Sequence, residues 1–153
     1  MERETGTYQW ILDRLPYAAP FLFVDALSEV HADGAKGSFT FRKELDFYTG
    51  HFKGNPVTPG VLLTECCAQI GLVCLGIYLL GEPGKAHGLA MGMSSAQIDF
   101  LLPVLPGEKV SVVSEKQYFR FEKLKCKVKM RNQRGELVCT GVLAGMIKMD
   151  ADG

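Results

Sequence analysis

The hydrophobic pattern near the middle of the chain predicts one long buried helix. Thr58 and Pro59 predict its start, because a threonine hydroxyl caps free backbone amides and the fixed backbone angle of proline suits the first helical turn. From there to about residue 80, apolar side chains fall on nearly every side of the helix, which is typical of a helix that is buried all round. Gly81 and Pro83 predict its end.

A membrane span is the alternative for this segment, since residues 61–80 approach the roughly 20 apolar residues that a bilayer requires. However, Glu65 and Gln69 lie inside it, and neither basic flanks nor an aromatic belt brackets it. We therefore predict no membrane span. Gly71 and Gly76 each cost about 1 kcal/mol relative to alanine inside a helix, so we expect strands to approach the helix closely there and a sheet to wrap around it.

Alternating apolar and polar positions on both sides of this helix predict an antiparallel sheet. A short leading helix is predicted over residues 5–15, and a turn at Asp33-Gly34 joins the first two strands. The last four strands follow one another directly, separated by turns rich in proline, glycine and asparagine. In the strand at residues 124–132, apolar side chains alternate with lysine and arginine, which predicts a solvated outer face. The predicted strands are residues 21–30, 37–41, 86–100, 109–120, 124–132 and 137–149.

Composition predicts a single soluble domain. The 153 residues are 47% hydrophobic and 22% charged, which is ordinary for one compact domain over residues 1–153. Lysines and arginines number 17, as do the acidic residues, so no overall charge favours nucleic acid or anionic lipid as a partner. An odd number of cysteines without a CxxC pair, and the lack of an N-terminal secretory signal, indicate a reducing cytoplasm. The histidines lie far from one another and from the cysteines, so we predict no metal site.

The most informative segment is GHFKGNPVTPGVL at residues 50–62, followed by ExxAQ from Glu65. It resembles the bacterial 3-hydroxyacyl-acyl carrier protein dehydratases, whose pattern is roughly GHFPGxPxMPGVLxxExxAQ. LPYAAPFLFVD at residues 15–25 and FLLPVLPG at residues 100–107 resemble that family's LPHRxPFLLVD and FRRPVxPGD. The resemblance extends over residues 15–147. A set of motifs this long, in this order, is far more specific than a lone histidine or glutamate.

This resemblance implies an α+β hotdog fold, in which an antiparallel β-sheet wraps around one long central helix, and a homodimer or a larger oligomer of dimers. It also implies a reaction: dehydration of a (3R)-3-hydroxyacyl thioester on acyl carrier protein to the trans-2-enoyl product. The context is fatty acid or related polyketide or polyene biosynthesis, and no cofactor is needed. His51 and Glu65 are the catalytic pair of the pattern, and the resemblance places them on opposite subunits, beside a tunnel for the acyl chain.

The residue types fit this reaction, because eliminating water requires a base, an acid and a site for the enolate oxygen. An imidazole can accept a proton at neutral pH, so His51 is the candidate base. Glu65 lies among apolar neighbours, and an apolar setting suits a carboxyl that acts as an acid. The free amides of Gly60 and Val61 at the helix N-terminus suit the oxyanion. The alternatives are structural: a histidine satisfied within its loop and a glutamate that complements the helix dipole.

Two further residues join the predicted substrate-binding set. Gln69 follows Glu65 by four positions and lies on the same helix face, where it either orients Glu65 by hydrogen bonding or packs in the core. Phe52 adjoins the catalytic histidine within the motif.

The chain departs from the family pattern at several positions, none of which removes a reacting group. Tyr17 replaces a histidine, Asn55 an arginine and Thr58 a methionine, and the Thr58 hydroxyl competes for the amides assigned to the oxyanion. Leu101-Leu102 stand where the family has a basic pair, so the carrier protein is expected to dock elsewhere. Lys53, in place of a proline, is the candidate anchor; the alternative is a solvated lysine without a role.

Two other functions stay open. A hotdog acyl-thioester hydrolase directs water at the carbonyl with a carboxylate and has no need of His51. A non-catalytic protein that binds acyl thioesters keeps the fold and the tunnel, but the intact pair of His51 and Glu65 argues against it.

Overall fold

A computed structural model of the chain describes residues 7–81 and 88–150. A short helix, α1, precedes a hairpin of two strands, and a single turn of 3-10 helix then leads toward the long helix α2. Four more strands follow. The bounds are α1 Gln9–Asp13, β1 Ala26–His31, β2 Gly34–Thr40, the 3-10 turn Asp46–Thr49, α2 Gly60–Leu80, β3 Gly88–Phe100, β4 Lys109–Arg120, β5 Lys123–Asn132 and β6 Leu137–Asp150.

These six strands form one antiparallel sheet in the order β1-β2-β4-β5-β6-β3. The sheet packs against α2 through β2, β4, β5 and β6. One long helix against an antiparallel sheet is the arrangement expected of the hotdog fold, so the predicted α+β class is confirmed. Within this sheet β1 and β3 are the edge strands, and β3 pairs with β6.

Alternation in β5 sets the two faces of the sheet. Leu124, Cys126 and Val128 are buried on the face that meets the core, whereas Lys127 and Lys129 are exposed on the other face. The predicted solvated outer face of this strand is therefore confirmed.

The two glycines of α2 mark its closest approaches to the sheet, as predicted. A Cβ atom on Gly71 would lie 2.9 Å from Ser114 Cβ in β4 and 3.0 Å from Val128 Cγ1 in β5, and one on Gly76 would overlap Ile147 of β6. Protein interiors are packed too densely to absorb such overlaps without a shift of backbone or side chains. Close packing of helix on sheet is thus the reason for glycine at both positions.

The membrane alternative for α2 does not agree with its environment. The helix is long and apolar enough to cross a bilayer, yet most of it is buried inside the protein. Its central part, Ala68–Val73, widens into a π-helical stretch in which every side chain, including Gln69, is buried. Its apolar surface is therefore covered by the sheet.

Several element boundaries differ from the prediction. The leading helix is shorter than residues 5–15, of which 5 and 6 lie outside the described residues. The first strand begins at Ala26 rather than at residue 21, because the Phe23 amide donates to the Gln69 side chain instead of to a neighbouring strand. The second strand reaches back to Gly34. The predicted start of the third strand at residue 86 also lies outside the described residues.

Candidate active site

His51 is held within the loop that precedes α2. Its backbone amide donates to the Phe47 carbonyl at 3.1 Å, and its carbonyl accepts from the Val57 amide at 2.8 Å. The ring Nδ1 lies 2.9 Å from the Val57 carbonyl oxygen, and a carbonyl only accepts, so Nδ1 carries the proton of this hydrogen bond. In the neutral ring, Nε2 is then unprotonated, and its lone pair is available as a base.

Phe52 and Lys53 continue from His51 toward solvent. The Phe52 ring stacks on the His51 ring, with centroids 4.1 Å apart and planes inclined by 26°, and 55% of Phe52 is exposed. Lys53 is exposed beside it. Stacking restricts the rotation of the imidazole, and both side chains are accessible to a ligand or partner that approaches this loop.

Thr58 does not cap α2, so that prediction is wrong. Its side chain is buried, and its hydroxyl is hydrogen-bonded to the Tyr48 hydroxyl. The residue before the helix is Pro59, whose carbonyl accepts from the amides of Leu62 and Leu63. The two hydroxyls satisfy each other inside the core, where an unpaired hydroxyl is costly.

The amides of Gly60 and Val61 lie in the first turn of α2, where backbone amides have no acceptor within the helix. They are therefore at the positive end of the helix dipole. Gly60 packs against the ring of Phe100, since a Cβ there would lie 3.2 Å from Phe100 Cε1. Val61 is 75% exposed. Because the Thr58 hydroxyl is directed to the core, it does not compete with a ligand oxygen for these two amides.

Glu65 is held by Gln69, one turn further along α2. The Gln69 Nε2 donates to Glu65 Oε2 at 3.0 Å and to the Phe21 carbonyl at 3.1 Å. The Gln69 Oε1 accepts from the Phe23 amide at 2.8 Å. Because Gln69 is completely buried and is bonded at both ends, it fixes the Glu65 carboxyl relative to the segment before β1.

A cavity of about 250 Å³ lies beside Glu65 and is bounded by α2, β3 and β6. Its lining is mostly apolar, and among the described residues only Glu65 and Tyr17 contribute a side-chain oxygen to it. Such a cavity suits an acyl chain, and the Glu65 carboxyl in its wall can exchange a proton with a ligand bound there. Six of the other lining residues are Leu72, Val73, Met91, Met93, Met146 and Ile147.

A single chain does not bring the predicted site residues into one place. Glu65 lines the cavity and Gln69 contacts Glu65, but His51, Phe52 and Val61 are absent from the residues that line it. Within one chain, the predicted acid Glu65 therefore lines the cavity, whereas the predicted base His51 does not.

Tyr17 and Met91 belong to this site, although sequence reasoning assigns them no role in it. The Tyr17 hydroxyl donates to Met91 Sδ at 3.6 Å, which joins the loop after α1 to β3. The signal for Tyr17 is its departure from the family pattern at a position inside a long motif. Nothing in the alternation along residues 86–100 marks Met91 as a cavity residue.

Replacing Gln69 by methionine tests the hydrogen-bonded clamp. We expect the free energy of unfolding to fall by about 1–3 kcal/mol, because the buried Phe23 amide loses its acceptor. Turnover should also fall, since Glu65 is no longer oriented. Urea unfolding and steady-state kinetics measure the two effects. The matched control is Gln117→Met on the exposed face of β4, and equal stability of the two variants would contradict the role of the clamp.

Comparisons with known proteins point to one family. A FabA-like domain matches residues 15–145. The 3-hydroxyacyl-[acyl-carrier-protein] dehydratase FabZ of Sinorhizobium medicae is 34% identical over 152 residues, which is 97% of this chain and 94% of that protein. The protein of the same name from Caldicellulosiruptor saccharolyticus is 37% identical over 143 residues, which is 90% of this chain and 96% of that protein.

Solved structures share the fold at lower identity. The dehydratase heterocomplex ApeI:P from Xenorhabdus doucetiae has a TM-score of 0.74 and 14% identity, covering 88% of this chain and 89% of that chain. The thioesterase HI1161 from Haemophilus influenzae has a TM-score of 0.58 and 17% identity, covering 81% and 78%. Since the fold alone serves both activities, the sequence matches decide: the chain belongs to the 3-hydroxyacyl-[acyl-carrier-protein] dehydratase family of lyases and carries its FabA-like domain.

Proposed function

We propose that this chain removes water from a (3R)-3-hydroxyacyl thioester on acyl carrier protein, giving the trans-2-enoyl thioester for fatty acid biosynthesis. The observation that carries the proposal is the state of the catalytic pair. In its neutral form, His51 presents an unprotonated Nε2, because the Nδ1 proton is held by the Val57 carbonyl. Glu65 is fixed by Gln69 at the wall of an apolar cavity.

The proposed elimination assigns one step to each of these groups. His51 Nε2 takes the proton from the carbon next to the thioester carbonyl, and the amides of Gly60 and Val61 stabilise the negative charge that develops on the carbonyl oxygen. Glu65 then donates its proton to the hydroxyl on the third carbon, the carbon–oxygen bond breaks, and water leaves as the double bond forms. Return of a proton from His51 to Glu65 resets the pair.

We propose that the complete site needs two copies of the chain. The Glu65 cavity of one chain lacks His51, while β3 is a 13-residue edge strand whose residues from Gly92 to Ala96 are exposed. A long open edge strand is a strong site for pairing with another chain. We propose that β3 pairs with its copy and so forms a dimer in which His51 of one subunit faces Glu65 of the other.

The acyl carrier protein is the proposed partner, and Lys53 is its proposed anchor. Leu101 and Leu102 are 53% and 36% exposed where the family pattern has a basic pair, so the cation must come from elsewhere. Lys53 is exposed two positions from His51, where it would meet an acidic carrier helix or the phosphate of the pantetheine arm.

Lys53→Glu is expected to slow association with carrier-bound substrate several-fold at low salt, because it places a negative charge before an acidic partner. The defect should shrink as salt screens the repulsion, and a short carrier-free thioester should react normally. Stopped-flow association and kcat/KM measured over a salt series report the effect.

The matched control for this prediction is Lys36→Glu, at an exposed position of β2, which should behave as wild type. Equal kcat/KM of wild type and Lys53→Glu at low salt would remove Lys53 from the docking surface. The β4–β5 turn, flanked by Arg120 and Lys123, would then be the next surface to test, since Lys123 is paired with Met146 of the cavity wall.

The biosynthetic context and the compartment are also proposals. A specialised polyketide or polyene pathway is the second candidate context, supported by the departures from the family pattern and by three cavity methionines, whose flexible and polarisable side chains adapt to unusual acyl chains. A reducing cytoplasm is supported by free, buried thiols at Cys66, Cys67, Cys74, Cys126 and Cys139.

One incubation tests the proposed function against its alternatives. The chain is mixed with a 3-hydroxyacyl thioester and, separately, with a saturated thioester of equal length, and the products are identified by mass spectrometry. Loss of water from the hydroxyacyl substrate alone supports the dehydratase. Free thiol from both substrates would indicate a hydrolase, and no change in either would indicate a binding protein. A series of acyl lengths, including conjugated chains, then separates the two pathway contexts.

A further inference from the structure

The Glu65 cavity contains a second hydroxyl-bearing side chain that the elimination described above does not use. Tyr17 lies in the loop after α1, half-buried in the cavity wall, and its ring packs against Phe21 at a centroid distance of 6.3 Å. Its hydroxyl is bonded only to Met91 Sδ, at 3.6 Å, among the contacts of the described residues. A thioether is a weak acceptor, so a ligand oxygen would replace it at little cost.

The phenol keeps its proton throughout the neutral range. Burial, and then the electrostatic interaction with Glu65, raise the pKa of Tyr17 to about 12. Tyr17 therefore acts as a hydrogen-bond donor in this cavity, while the histidine of the family pattern at this position accepts as well as donates and changes charge near neutral pH. Tyr17 and Glu65 both line this one cavity, so a substrate atom bound there can lie beside both groups.

We propose that Tyr17 donates a hydrogen bond to the 3-hydroxyl oxygen of the substrate and holds it beside Glu65 while it leaves as water. The inference rests on the proposed function and adds a residue to it. Tyr17 transfers no proton: Glu65 supplies the proton, the carbon–oxygen bond breaks, and the Tyr17 hydrogen bond passes from the hydroxyl to the water. The bond stabilises the oxygen and the carboxylate that forms next to it, so its effect belongs to the chemical step.

Tyr17→Phe removes only the hydroxyl and is the main test. Turnover, kcat, on a 3-hydroxyacyl thioester should fall about tenfold to hundredfold, the range for losing a hydrogen bond to a group that develops charge. KM should change less than about threefold, because the bond acts mainly in the transition state. Tyr17→His, which carries a donor again, should recover part of the loss. The control is Tyr118→Phe on β4, whose ring lies under Arg120, away from the cavity.

Two outcomes would overturn the inference while wild type is active. One is unchanged kcat in Tyr17→Phe, and the other is a rise in KM alone, which would make Tyr17 a contact for the acyl chain. Tyr17→Leu also lacks the hydroxyl and covers the case in which Tyr17→Phe folds poorly: a folded Tyr17→Leu chain with wild-type kcat would overturn the inference in the same way. Failure of wild type to eliminate water would instead contradict the proposed function itself.

Discussion

His51→Ala and Glu65→Gln should each lower kcat at least about a hundredfold, the scale for losing a positioned general base or acid. Alanine removes the imidazole whose Nδ1 is bonded to the Val57 carbonyl, and glutamine keeps the shape of Glu65 but has no acidic proton to donate. Steady-state kinetics on a 3-hydroxyacyl thioester measure the loss.

Controls must separate chemistry from folding. His31→Ala and Glu115→Gln change exposed residues of the same types and should leave kcat within about twofold, as is usual for surface changes. Urea unfolding should give nearly the same midpoint for wild type and for both active-site variants. A folded His51→Ala or Glu65→Gln chain with near-normal turnover would remove that residue from the mechanism.

Mixing the two inactive variants is expected to restore activity, which is the second large effect. If each site takes His51 from one subunit and Glu65 from the other, a mixed dimer has one site with both residues intact and one with neither. Random pairing then yields about a quarter of the wild-type sites, compared with less than about one hundredth in either variant alone.

The measurement is the activity of chains that are mixed, unfolded and refolded together. As a control, His51→Ala is mixed with the chain that carries both substitutions, and this pairing should stay inactive because no intact site can form. Activity of the His51→Ala and Glu65→Gln mixture that remains at the level of the separate variants would show that both residues act within one subunit.

Much of the fold follows from the sequence because its determinants are local. The apolar run of α2 ends at a glycine, and alternation along β5 separates buried residues from lysines. Gly71 and Gly76 even predict where helix and sheet touch. Periodicity and turn residues act over a few positions, so they are visible without knowledge of the tertiary structure.

The details that the sequence did not reveal depend on contacts between distant positions. Threonine often caps helices, but the Thr58 hydroxyl is buried in the core, where it is hydrogen-bonded to the Tyr48 hydroxyl. Residues 21–25 have the composition of a strand, yet the Phe23 amide donates its hydrogen bond to the Gln69 side chain and not to a neighbouring strand. In both cases two buried polar groups from distant positions form a hydrogen bond with each other. That hydrogen bond outweighs a local structural preference worth about 1 kcal/mol.

The candidate site shows the same division. The resemblance predicts His51 and Glu65 as the catalytic pair, and Gln69 follows from helical spacing, because one turn separates it from Glu65. Tyr17 and Met91 lie on different elements and meet only through the fold. Spacing along the chain holds no information on such a pair, so its place in the cavity comes from the structure.

The most direct test of the account follows heavy oxygen from water into the acyl chain. Because the elimination is reversible, the chain is incubated with a trans-2-enoyl thioester in water enriched in the heavy isotope, and fragment masses locate the label. We expect label on the third carbon of an intact 3-hydroxyacyl thioester, and none when Glu65→Gln replaces wild type. Label in a free carboxylic acid, with the third carbon unlabelled, would contradict it.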